Sequence, residues 1–189
     1  MIAGIDLERV LQERGALLEG HFVLSSGRHS DRFVQKFRIL ERPDLLEPIA
    51  RTLADRFAAQ SPTVVTSAAV GGILLGYEVA RALGTPAIFV EREHGEPVLR
   101  RGFKLDAADR ALVVEDVITT GGSVREVIEV ARAHGAEIVG VGAIVRRGDA
   151  QLGIPTVALL DLPLRSYEAA ACPMCASGLP FVDPGSRRV

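Results

Sequence analysis

Apolar and polar positions follow two rhythms along this chain. In residues 6–18, Leu7, Val10 and Leu11 fall on one side of a helix that Asp6 caps and Gly20 ends. Residues 21–24 and 32–39 read as short strands around the polar turn Ser25-Ser26-Gly27-Arg28-His29-Ser30. Pro43 opens a second helix reaching about Ala59, with Leu46, Ile49, Leu53 and Phe57 in helical period. Then the pattern alternates: strand 63–66, helix 71–83, strand 87–90, strand 111–114, helix 123–134, strands 138–145 and 156–160. The run 111–114 is apolar throughout, as in a strand buried on both faces. In helix 123–134, Val124, Val127, Ile128 and Ala131 form the inner face. Such alternation predicts an α/β domain with a parallel sheet and helices on both faces. Ligands of such sheets bind outside the carboxyl ends of the strands.

Two segments break the rhythm. Residues 91–105 (EREHGEPVLRRGFKL) read as a long charged loop, a form often taken by lids and binding loops. The tail after Asp161 shows only a short helical patch near residues 165–171.

Composition narrows the class. The 189 residues fit one ordinary domain, large enough to fold without a metal or disulfide. Hydrophobic residues make up 48% and aromatics 5%, with no Trp, so the core is aliphatic. The net charge of −2 gives no reason to expect nucleic acid or an anionic membrane as partner. No stretch approaches the roughly 20 apolar residues of a membrane span. The first residues carry charge from Asp6 onward, unlike a secretory signal. A cytoplasmic protein is expected.

Cys172 and Cys175 form a CPMC run in a Gly/Pro-rich tail. Two thiolates fall short of the four ligands of structural zinc, and His21, His29, His94 and His134 show no ligand spacing to them. Structural thiols are the first reading, with a metal shared between subunits or a redox pair as alternatives.

The strongest chemical signal is Val113-Val114-Glu115-Asp116-Val117-Ile118-Thr119-Thr120-Gly121-Gly122-Ser123. An apolar strand leads to two adjacent acids, a Thr/Gly-rich turn and a helix start. The turn's N–H groups and the helix N-terminus make an anion site. Gly121 and Gly122 allow close backbone approach, and Thr119, Thr120 and Ser123 add hydroxyl donors. Glu115 and Asp116 would repel phosphate, so they suit ribose hydroxyls, directly or through Mg²⁺. The lysine of a P-loop and the GxGxxG of a dinucleotide fold are both missing.

This string resembles the 5-phosphoribosyl 1-diphosphate (PRPP) motif of type I phosphoribosyltransferases over its whole length. The resemblance implies that Glu115 and Asp116 hold the ribose hydroxyls, that Val117 and Ile118 belong to the PRPP site, and that Thr119 through Ser123 wrap the 5′-phosphate. Gly20-His21-Phe22, Leu24 to Ser30, Glu91-Arg92-Glu93, Leu99 to Phe103, the CPMC run and Pro184-Gly185-Ser186-Arg187 are similar to orotate phosphoribosyltransferases. That similarity runs from about residue 15 to 188. It implies a type I phosphoribosyltransferase fold in a single domain, residues 1–189. A hood of roughly residues 1–40 plus 161–189 would cover a core of roughly 41–160.

It also implies a chemistry. Arg147 and Thr119 would bind orotate, the arginine because a planar cation pairs bidentately with a carboxylate. Arg92, Arg100, Arg101 and Lys104 in the loop are the cations for departing pyrophosphate. The resemblance further implies Mg²⁺ carried mainly by PRPP rather than by a protein site, and a homodimer sharing loop 91–105 across its interface. Two lysines common in the wider family are absent, replaced by Ser25 and by the turn Ala69-Val70-Gly71-Gly72. Lys36 is therefore expected to reach the substrates, with Gly71 contacting PRPP. His29 and His94 are read as polar contacts or exposed, and no catalytic histidine is assigned. The rivals are transfer to another base and a non-enzymatic PRPP sensor.

Overall fold

The computed structural model describes residues 6–24 and 26–182. Ser25, the stretch Pro184 to Arg187 and the leading residues 1–5 lie outside them.

Six strands form the main sheet: β3 (Val64–Ala68), β4 (Ala87–Glu93), β5 (Glu96–Leu99), β6 (Arg110–Ile118), β7 (Glu137–Arg146) and β8 (Thr156–Asp161). Their order is β5-β4-β3-β6-β7-β8, parallel except for the β4–β5 pair at one edge. A separate antiparallel hairpin joins β1 (Leu17–Val23) and β2 (His29–Val34). The helices are α1 (Leu7–Glu13), α2 (Phe37–Leu40), α3 (Pro43–Phe57), α4 (Gly71–Leu83), α5 (Gly122–Ala133) and α6 (Pro173–Ala176).

Alternate residues of a strand face opposite sides of the sheet. Leu112 and Val114 of β6 therefore join Leu53, Phe57, Leu75 and Val79 of α3 and α4 in one core. Val113 joins Val124, Val127 and Ile128 of α5 in the other. The expected mostly parallel α/β sheet flanked by helices is the observed one. The faces of α3 and α5 are also those the apolar period predicted.

Several boundaries differ from the sequence reading. The first helix ends at Glu13 rather than near Leu18, because Gly15 takes φ +61° and turns the chain into β1. Gly20 instead lies in the irregular stretch of β1 between Glu19 and Phe22. Residues 37–39 are the helical turn α2 rather than strand. The charged segment 91–105 is not one unstructured loop. His94 (φ +52°) and Gly95 (φ +91°) make a two-residue turn, and β4 and β5 pair across it. β6 runs on through both acids to Ile118, held by Val117↔Val145 and Ile118↔Arg146. The tail patch is a 3₁₀ turn at Ala169–Ala171 followed by α6.

The tail wraps the β1–β2 hairpin. Val182 bridges Phe22, and Tyr167 bridges His29. Ser30 Oγ donates to the Arg165 carbonyl at 2.8 Å, and Arg28 donates to Ser166 and Glu168. This wrapping carries Cys172 and Cys175 onto His21 and His29, a grouping that their spacing in the sequence did not indicate.

Phe57 fills the space between α3 and β7. A Cβ at Gly140 would stand 2.3 Å from its Cε1. Gly140→Ala is expected to lower stability by about 1–3 kcal/mol, read as a lower urea midpoint with unchanged slope. Adding Phe57→Leu should make the double variant less unstable than the sum of the two single changes.

Candidate active site

β6 and β3 pair from Val64↔Ala111 to Ser67↔Val114 and no further. Beyond Val114 one side of β6 is released while β7 still holds the other. The two acids sit at that opening, the place where parallel sheets bind ligands.

Strand alternation sends them apart. Glu115 shares the α5 side with Val113 and lines a cleft with Thr119, Thr120, Gly121, Gly122 and Ser123. Asp116 shares the α4 side with Val114 and meets Lys36 and Gly71. Both carboxylates are buried, at 7% and 1% exposure, so neither is a surface acid.

The turn is shaped for an anion. Gly121 takes φ +80° as the residue before α5, a conformation unfavourable for a residue with a Cβ. A Cβ on Gly122 would meet only Thr120 Oγ1, at 3.8 Å, so that backbone is open to the cleft. The twelve-residue helix α5 points its N-terminus there, adding a partial positive charge.

Lys36 closes the other side. Its Nζ donates to Asp116 Oδ1 at 3.0 Å. It also stands 2.7 Å from Oδ2, an ion-pair contact without hydrogen-bond alignment. Val117 N donates to Oδ1 at 2.6 Å, which leaves Oδ2 without a hydrogen-bond donor. A Cβ on Gly71 would lie 2.1 Å from that oxygen and 2.5 Å from Lys36 Nζ. Glycine is thus required for α4 to approach the pair.

Arg147 follows β7, its N–H donating to the Ile118 carbonyl at 2.9 Å. Its guanidinium is half-buried, and Nε has no hydrogen-bond partner among the described residues. Burial holds its pKa below the usual arginine value. Neighbouring Arg146 instead pairs with Asp161.

The loop cations separate. Arg92 lines the cleft and donates to Glu126 of α5 and to the Gly95 carbonyl. Arg100 pairs with Glu93 at 3.3 Å and Arg101 with Glu91 at 2.9 Å, both within the β4–β5 segment and away from the cleft. His94 is exposed at the hairpin turn. Sequence reasoning missed Glu126, whose helical position one turn beyond Ser123 was the available signal.

The sequence matches a family model described as phosphoribosyl transferase domain over residues 38–155. It is 50% identical over 186 residues to the orotate phosphoribosyltransferase of Pelotomaculum thermopropionicum, covering 97% of this chain and 98% of that one. It is 49% identical to the same-named protein of Desulforamulus reducens, over 95% of each chain. The fold is similar to the crystal structure of orotate phosphoribosyltransferase from Aeropyrum pernix, with TM-score 0.71 and 31% identity over 82% of this chain and 93% of that one.

Burial, and next the charge of Asp116, push the Glu115 carboxyl up to about 8. An acid whose pKa is raised by folding favours the folded state while it keeps its proton. That stability is full below the unfolded value near 4.5 and is lost as pH rises to about 8. The ligand-free protein should therefore lose about 1 kcal/mol of stability per pH unit across this window and level off above it. Urea unfolding at several pH values checks this, and Glu115→Gln should flatten the slope.

Proposed function

The chain belongs to the orotate phosphoribosyltransferase family, and we propose that it transfers the phosphoribosyl group of PRPP to orotate. The products are orotidine 5′-phosphate and pyrophosphate, a step of pyrimidine biosynthesis. The observation that carries the choice of base is Arg147. A half-buried guanidinium with an unpartnered Nε, beside the phosphate turn, calls for a planar anion. Orotate has a carboxylate for it, whereas purines and uracil have none.

The remaining roles follow from placement. The turn from Thr119 to Ser123 and the α5 N-terminus take the 5′-phosphate. Glu115 and Asp116 take the ribose hydroxyls. Thr119 is the second orotate contact. Lys36 stands in for the lysine missing from the turn before α4, since its ammonium already lies beside Gly71. Arg92 is placed to stabilise the leaving pyrophosphate.

Mg²⁺ suits this site. Asp116 Oδ2 is a hard oxygen without a hydrogen-bond donor, next to a place for phosphates. Asp116 and Glu115 would steady the ion, directly or through water, while PRPP supplies most of its ligands. Bound there, it neutralises charge on the diphosphate.

The orotate nitrogen attacks C1 of the ribose as pyrophosphate leaves, and positive charge grows on the sugar. Catalysis then rests on positioning and charge stabilisation, with buried carboxylates nearest the sugar. The proton released from the orotate nitrogen passes to the departing pyrophosphate or to solvent, and no base is assigned to the protein.

The proposal includes a cytoplasmic homodimer. Val70, which caps α4, and Leu74 and Tyr77 on it recur at helical spacing along one face and are 72%, 47% and 62% exposed. An apolar face of this kind supports an interface with a second copy. Arg100 and Arg101, turned away from their own cleft, would then serve the partner's. The hairpin and tail act as the hood over the core.

Incubation with PRPP, Mg²⁺ and each of orotate, uracil, hypoxanthine and adenine tests the assignment. Absorbance should change with orotate alone, and turnover of a purine or of no base would overturn it. Arg147→Ala should raise the KM for orotate about 100-fold or more and leave that for PRPP within a few-fold. Lys36→Ala should lower kcat/KM for both substrates by at least about tenfold, and unchanged values would remove Lys36 from the site.

A further inference from the structure

Four groups that could ligate a metal meet between the β1–β2 hairpin and the tail. His21 lies on β1, His29 on β2, Cys172 just before α6, and Cys175 within α6. Their four ligand atoms all lie within 4.8 Å of one another. His21, His29 and Cys172 are buried, and Cys175 stands at the exposed side. Both thiols are free.

The distances suit a tetrahedron. A zinc ion with Zn–S of about 2.3 Å and Zn–N of about 2.0 Å sets its ligand atoms roughly 3.3–3.8 Å apart. Here Cys172 Sγ is 3.6 Å and Cys175 Sγ 3.7 Å from His21 Nε2, and Cys175 Sγ is 3.2 Å from His29 Nδ1. The two ring nitrogens stand 2.8 Å apart, a hydrogen bond that an ion between them would open slightly.

The outer contacts agree. His21 Nδ1 donates to the Leu179 carbonyl at 2.7 Å, which leaves the Nε2 lone pair directed into the cluster. A second contact of this kind is how metal-bound histidines are oriented. The Phe181 ring lies 5.8 Å from His21 and 5.9 Å from His29, an apolar wall against water. Two soft sulfurs with two imidazoles select zinc over the harder magnesium of the phosphate site.

We propose that His21, His29, Cys172 and Cys175 bind one zinc ion, which staples the C-terminal tail to the N-terminal hairpin. Binding displaces the two thiol protons and forms two zinc–thiolate bonds, while the His29 proton shared with His21 moves from Nδ1 to Nε2 and frees Nδ1 to ligate. No electron transfer is involved. The staple has a physical purpose, since a lone two-stranded hairpin is marginal and small units of structure commonly need a metal or disulfide. The role is structural, because all four positions are filled by protein and none is left for substrate.

The test uses the full chain, purified under reducing conditions and stripped of metal. Titrated with cobalt(II), it should develop the thiolate charge-transfer and intense d–d bands of a tetrahedral site, saturating near one equivalent. Zinc restored to that protein should resist dialysis at about one per chain and raise the melting temperature by roughly 5 °C or more. Cys175→Ser, at the exposed corner, and His29→Ala should each lower retained zinc at least about tenfold. Weak octahedral cobalt bands would overturn the proposal, as would zinc retention unchanged in the Cys172→Ser/Cys175→Ser variant. So would a Cys172–Cys175 disulfide whose reduction brings no zinc uptake.

Discussion

Two carboxylates are buried side by side at the point where β6 loses its partner β3, and the rest of the site is arranged around them. Adjacent acids out of water repel each other and cannot both hold full charge at low cost. The fold answers each differently. Asp116 is given Lys36 and the Val117 amide. Glu115 is left beside the open cleft, where burial favours its protonated form. A ligand offering hydroxyls or a bound cation resolves what the protein by itself leaves unbalanced.

That constraint orders the charges nearby. Donors for an anion gather on the α5 side, in the turn and the helix N-terminus. Lys36 and the glycine that admits it gather on the α4 side. The arrangement follows from alternation along a single strand, since successive residues of β6 belong to opposite faces of the sheet. A phosphate and a diphosphate can then sit at two ends of one sugar, with the acids between them.

The hairpin and the tail depend on each other in a similar way. The hairpin is too small to hold its shape through apolar burial alone, and the tail has little regular structure. Their bridges at His29–Tyr167 and Phe22–Val182 hold the hairpin and the tail together. Lys36 leaves the end of β2, so the order of this region bears on the position of its ammonium next to Asp116.

By itself the sequence determined five of the sheet's six strands, the inner faces of α3 and α5, and the phosphate turn. All are local, because the periods of helix and strand and the φ freedom of Gly121 act within a few residues. It also pointed to Lys36, through the absence of a lysine near Gly71. Tertiary structure alone decided the rest. β6 extends past its apolar run because β7 still pairs with it, a fact of register rather than composition. Segment 91–105 forms a paired edge because a two-residue turn lets distant charged residues share a ladder. The two acids face opposite ways because the strand continues through them. His21 and His29 meet Cys172 and Cys175 across more than half the chain, so no spacing rule could have joined them. What short-range forces govern was legible in the sequence; what depends on where the chain returns to itself was not.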